Sequence, residues 1–72
     1  MQQYDYSKLL GRMKEKGFTQ ESLAKQLGIS ACSLNFSLKN KRDFKQEEML
    51  KACEVLGIPT SKLPEFFYAH KL

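Results

Sequence analysis

Between Gln20 and Arg42 the chain gathers the amides Gln20 and Asn35, the hydroxyls Ser30 and Ser33, and the cations Lys39, Lys41 and Arg42. These groups pair with charge and donate or accept hydrogen bonds. They suit recognition of a polyanion better than the making or breaking of covalent bonds. No nucleophile stands with a base, and no carboxylate dyad, glycine-rich phosphate loop or metal-ligand cluster is visible, so the pattern argues against an enzyme and implies no cofactor. Cys32 and Cys53, with His70 as the single histidine, make neither a zinc site nor a disulfide framework. Cys53 reads as a small core residue, Cys32 as a reduced surface thiol and His70 as inert, with a Cys32–Cys53 disulfide as the alternative.

The polar groups need rigid elements to hold them, and the apolar spacing supplies these. Leu23, Ala24 and Leu27 share one helical face, Gly28 breaks the helix, Ile29 fills the corner, and Ser30 caps a second helix carrying Leu34 and Leu38. An alanine in the first helix and a glycine at the bend suit two helices crossing steeply, the helix-turn-helix pattern. Tyr6, Leu9, Leu10 and Met13 predict a preceding helix over about 6–16. Phe18 then lies just outside a helix over 20–27 capped by Thr19, at a position to pack on Leu23. A helix over 31–38 follows. Asn40 suits the left-handed conformation that closes it, and Lys39 to Asp43 form a basic loop. Met49, Leu50, Cys53 and Leu56, facing inward with Glu47, Glu48, Lys51 and Glu54 toward water, place a helix over 46–56 that Gly57 ends. For the tail, Thr60 can cap one turn and Pro64 can restart a short element over about 61–68, although an extended EFFYAH segment is also compatible.

Seventy-two residues, 42% apolar and 28% charged, fit one soluble globular domain over 1–72 with a modest core. No apolar run approaches the roughly 20 residues that cross a bilayer, and the polar start is no signal peptide. The expected location is therefore the cytoplasm, away from any membrane. The net charge of +4 is unevenly placed. Lys39, Lys41, Arg42 and Lys45 stand against Asp43 directly after the 31–38 helix, whereas Glu47, Glu48 and Glu54 outweigh Lys51 beyond it. Such polarity fits a chain that turns one face to a polyanion.

The run Thr19-Gln20, Ala24, Gly28-Ile29-Ser30 and Leu34 resembles the helix-turn-helix of the phage repressor and Cro group, the Xre-like regulators. A GFTQ-type lead-in, an LKNKRDF loop and a helix ending in LGIP are usual there too. The resemblance spans about residues 6–63 and is nearest to small Cro-like repressors of Gram-positive phages, which tend to end in an aromatic pair like Phe66-Phe67. Asn40-Lys41 departs from the usual Asn-Gly. The resemblance implies an all-α, lambda-repressor-like bundle of four to five short helices, with Ala31, Cys32 and Phe36 at base-reading positions beside Asn35.

A helix fits the major groove, so Asn35 can pair with adenine, and Ala31 or Phe36 can touch thymine methyls. Gln20, Ser30, Ser33, Lys39, Lys41 and Arg42 are the expected phosphate contacts, with Arg12 and Lys16 as weaker ones. Phe66, Phe67 and Tyr68 cannot all be buried by one short helix in so small a chain, so some should close the core and the exposed ones are the expected part of a homodimer interface, with all three folded over their own core as the alternative. These readings lead to a sequence-specific regulator that binds double-stranded operator DNA as a homodimer, with no small-molecule ligand, and the resemblance implies that it represses. A protein-binding regulator of the antitoxin type on the same scaffold is the competing expectation.

Overall fold

The computed structural model describes residues 3–70. The helices in chain order are α1 (Ser7–Glu15), α2 (Gln20–Leu27), α3 (Ala31–Leu38), α4 (Gln46–Leu56) and α5 (Leu63–Phe67), with a 3-10 turn at Thr60–Lys62 leading into α5. The chain is thus all-α, as its periodicity implies. Among the described residues the extended pairing is an isolated antiparallel bridge between Tyr4 and His70. No helix among them is long and apolar enough to cross a membrane.

Local chemistry sets the ends of the central helices. Ser22 donates its backbone N–H to Thr19 Oγ1 at 3.1 Å, while Thr19 donates its own to Ser22 Oγ at 2.9 Å. This reciprocal pair satisfies two amides that the helix cannot. At the other end of α2, Gly28 takes φ 74°, which lets Ile29 N–H reach back to the Ala24 carbonyl at 3.0 Å. Two residues later Ser30 Oγ accepts the Ser33 N–H at 3.0 Å and starts α3. A three-residue turn therefore separates two helices, each locked by its own cap.

The caps aim the apolar faces inward. Leu9, Leu23, Leu34, Leu56 and Phe67 are almost completely buried, with Ala24, Ala52 and Cys53 between them. α2 packs on both α3 and α4, and α5 packs on α1 and α4. Burial pushes the Cys53 thiol pKa up, so this residue acts as a neutral filler, while Cys32 is exposed and the two form no disulfide. Tyr6 is buried as well, and its phenol is pushed up to about 12, chiefly by desolvation.

The aromatic tail corrects one expectation. Phe66 and Phe67 close the core of their own chain, which leaves Tyr68 as the one ring of the three exposed to a second copy. α5 makes this possible by turning Phe67 edge-on to Phe44, with centroids 5.2 Å apart, and by placing Phe66 under Arg12 at 5.4 Å. The helix stops at Phe67, and the chain beyond it is extended at His70.

Arg42 supplies the strongest polar link between elements. Its guanidinium grips Glu48 of α4 through both carboxylate oxygens, at 3.0 and 2.6 Å, and donates to Ser37 Oγ of α3 at 2.8 Å. Glu48 also accepts the Lys45 N–H at 3.0 Å, which caps α4. Ser37 and Glu48 are both buried, so these bonds form where water cannot replace them. Hydrogen bonding from Arg42 holds the Glu48 carboxyl below its usual value of 4.5. A lowered pKa in the folded state adds stability that is present above the ordinary value and is lost as pH falls through the folded one. Glu48→Gln should therefore cost about 2 kcal/mol at neutral pH. In urea titrations it should also flatten the fall in stability below about pH 4.5; an acid limb as steep as that of the parent would contradict the assignment.

Candidate nucleic-acid interface

The solvent side of α3 is built from the residues that its core side leaves over. Leu34 and Ser37 are buried, and the opposite face presents Cys32 and Phe36 as exposed residues, with Ala31, Ser33 and Asn35 half-buried. Phe36 is 46% exposed and lies outside the core cluster and the residues packed against it. No residue of α3 carries a charge. The groups this face and its cap offer are one amide, the hydroxyls of Ser30 and Ser33, a thiol and a phenyl ring.

Asn35 is held in place from α2. Its Nδ2 donates to Gln20 Oε1 at 3.1 Å, so the residue at the start of α2 braces the middle of α3. An asparagine amide has two N–H donors and one carbonyl acceptor. The brace uses one donor. The remaining N–H and Oδ1 are the donor–acceptor pair that adenine N7 and N6 require. Gln20 consequently fixes the side chain while using only one of its donors.

At the helix start, Ser30 Oγ accepts the Ser33 amide and donates to Ser33 Oγ at 2.9 Å. Both serines are therefore partly engaged in capping. The first turn of α3 adds partial positive charge at the same end. Beyond the helix, Lys39 and Lys41 are exposed.

Arg42 departs from the expectation of a phosphate contact, because its guanidinium is already bound to Glu48 and Ser37. It acts as a strut inside the fold. Arg12 behaves likewise. It donates to the carbonyls of Leu56 and Gly57, both at 3.2 Å, and so closes the C-terminus of α4. Lys16 lies against the same glycine.

The sequence reading missed how the loop after α3 is fastened. Asn40 takes φ 62°, the left-handed conformation its residue type suggested. Its side chain then clamps the backbone of Tyr4 from both sides: Tyr4 N–H donates to Asn40 Oδ1 at 2.8 Å, and Asn40 Nδ2 donates to the Tyr4 carbonyl at 3.0 Å. An amide copies the pairing of a strand neighbour in this way. The signal was an asparagine where many loops carry glycine, but nothing nearby in sequence names its partner 36 residues away.

The chain is an all-helical protein of one family. The sequence profile described as Protein of unknown function (DUF739) matches residues 2–70, and the chain belongs to that family. Its structure is similar to the solution structure of the modulator of repression (MOR) of the temperate bacteriophage TP901-1 from Lactococcus lactis. The TM-score is 0.76 at 38% identity, over 90% of this chain and 88% of that one. No curated protein matches the chain.

The Asn40 clamp gives a clean test of how the loop is held. Asn40→Gly keeps the left-handed backbone accessible and removes only the two bonds to Tyr4. It should lower stability by about 1–2 kcal/mol and accelerate hydrogen exchange at the Tyr4 amide far more than at Leu34. Uniform acceleration at both sites would show that the clamp is not local.

Proposed function

We propose that this chain is a regulator in a phage repression circuit and acts as a helix-turn-helix module of the Cro and Xre-like kind, reading duplex DNA with α3. The observation that carries this reading is the Gln20–Asn35 bond, which leaves an adenine-reading edge on the exposed face of a capped helix. The modulator-of-repression name of the similar phage protein supports the regulatory part. In this reading residues 1–72 form a single DNA-binding domain. Ala31, Cys32 and Phe36 meet thymine methyls and sugar edges around Asn35. Ser30, Ser33, the start of α2 at Gln20, Lys39 and Lys41 contact phosphates. Two copies on a pseudo-palindromic operator would place their α3 helices about 34 Å apart and exclude polymerase from a promoter.

A second reading is favoured by the composition of the same face. An uncharged α3 with Phe36 and Cys32 exposed is also what a helix-docking protein partner would select. In that case the chain modulates repression by covering another regulator.

Salt and sequence dependence separate the two. For a DNA reader, affinity for a preferred duplex falls steeply with salt, and Lys41→Ala reduces the log–log slope by about 1 per chain. Asn35→Ala should cost about 1–3 kcal/mol on that duplex and little on a scrambled one, as measured by fluorescence anisotropy. Equal loss on both duplexes would remove Asn35 from base reading. A flat salt response would favour the protein-docking alternative.

A further inference from the structure

A cavity of about 210 Å³ opens to solvent on the side of the molecule where the N-terminal segment, the loop after α3 and α5 converge, and DNA reading by α3 makes no use of it. Its walls are Tyr4, Tyr6, Phe44, Phe67 and Tyr68, with Met49 also lining it and Asp43 supplying a carboxylate. The rings stand across one another rather than stacking. Tyr4 and Tyr68 meet edge to face at 5.6 Å and 82°, Tyr6 and Phe44 at 5.5 Å and 75°, and Phe44 and Phe67 at 5.2 Å and 80°. Edge-to-face pairs set ring faces and ring edges side by side around one volume, with Tyr68 the most exposed of its rings. The Asn40 clamp on the Tyr4 backbone and the Tyr4–His70 bridge hold this frame in place before anything binds.

Aromatic faces are negative and attract cations, and a carboxylate among them adds a full charge of the same sign. Asp43 is exposed and forms none of the ion pairs found among the described residues; Arg42 beside it is taken by Glu48. The Asp43 charge reaches the cavity, because it is one of the causes that raise the Tyr6 phenol pKa. The loop carrying it is otherwise basic, with Lys41, Arg42 and Lys45. An acid set into an aromatic frame within a basic loop is a feature that phosphate binding does not explain.

We propose that this aromatic frame, with Asp43 at its edge, is a binding site for a basic side chain of a partner protein, arginine in preference to lysine. A guanidinium can lie flat on one ring while donating to the Asp43 carboxylate, which an ammonium cannot do in the same geometry. The methylene stem of such a side chain would cover Met49 and the ring edges as it enters. The open mouth, with Tyr68 44% exposed, suits a group presented on another surface better than a small ion that needs enclosure.

The test is an NMR titration of the whole chain with an acetyl-Gly-Arg-Gly amide peptide, monitored at the ring resonances of Tyr4, Tyr6, Phe44 and Tyr68. Saturable shifts are expected for the arginine peptide and several-fold weaker ones for its lysine analogue. The neutral citrulline peptide should give none. Asp43→Asn and Tyr68→Ala alter exposed positions, so the fold should persist, and each should weaken binding at least threefold. Four outcomes would overturn the proposal: no saturable shift, equal binding of the citrulline peptide, no effect of Asp43→Asn, or equal binding of free methylguanidinium, which would mark a site for small cations instead.

Discussion

The guanidinium of Arg42 is the group on which the arrangement of the candidate interface depends. It joins Ser37 on the buried side of α3 to Glu48 in the first turn of α4, and Glu48 in turn accepts the Lys45 amide. The three bonds from Arg42 fix where α3 ends and where α4 begins, and hence the path of the loop between them. Charged hydrogen bonds of this kind matter most when one partner is removed, because the other is then left with no solvent to replace it. With that loop fixed, Asn40 stands where it can clamp Tyr4, and Tyr4 completes the aromatic frame with Tyr6 and Tyr68. The exposed face of α3 and the aromatic cavity are thus held by one polar network at the end of a single helix.

How much of this was legible in the sequence depends on how local each cause is. α2 and α3 could be placed from Thr19, Gly28 and Ser30, because a cap acts on amides three residues away and a glycine acts on its own φ. The burial of Leu23, Ala24, Leu34 and Leu56 followed from helical period. Asn40 was legible in conformation but not in purpose, because its left-handed φ is local and its grip on Tyr4 is tertiary.

The misreadings have the same origin. Lys39, Lys41 and Arg42 look alike in sequence as cations after a helix, and nothing in their spacing says that one faces a buried glutamate. Burial of Glu48 is hidden for the same reason: its neighbour Glu47 is exposed, and a single helical step separates them. Phe66 and Phe67 looked like too many aromatics for one short helix. The loop residue Phe44 stacks edge-on against Phe67, and Arg12 covers Phe66 with a cationic plane, so both rings fit inside. Contact between different elements decided each case, across one loop for Arg42 and Glu48 and over long sequence separation for the two rings.

The candidate interface is therefore narrower than a basic helix with a cationic clamp. It consists of an uncharged α3, one braced amide at Asn35 and the two exposed lysines that follow. On the proposed reading, such a face would meet shape and methyl groups more than guanines, so A·T-rich duplexes are the ligands the proposal expects. Selection of bound duplexes from a random-sequence pool by the intact chain tests this most directly. Enrichment of an A·T-rich, two-fold symmetric site with half-sites about one helical turn apart is the expected result. A pool that returns unchanged after repeated rounds would contradict DNA reading by α3.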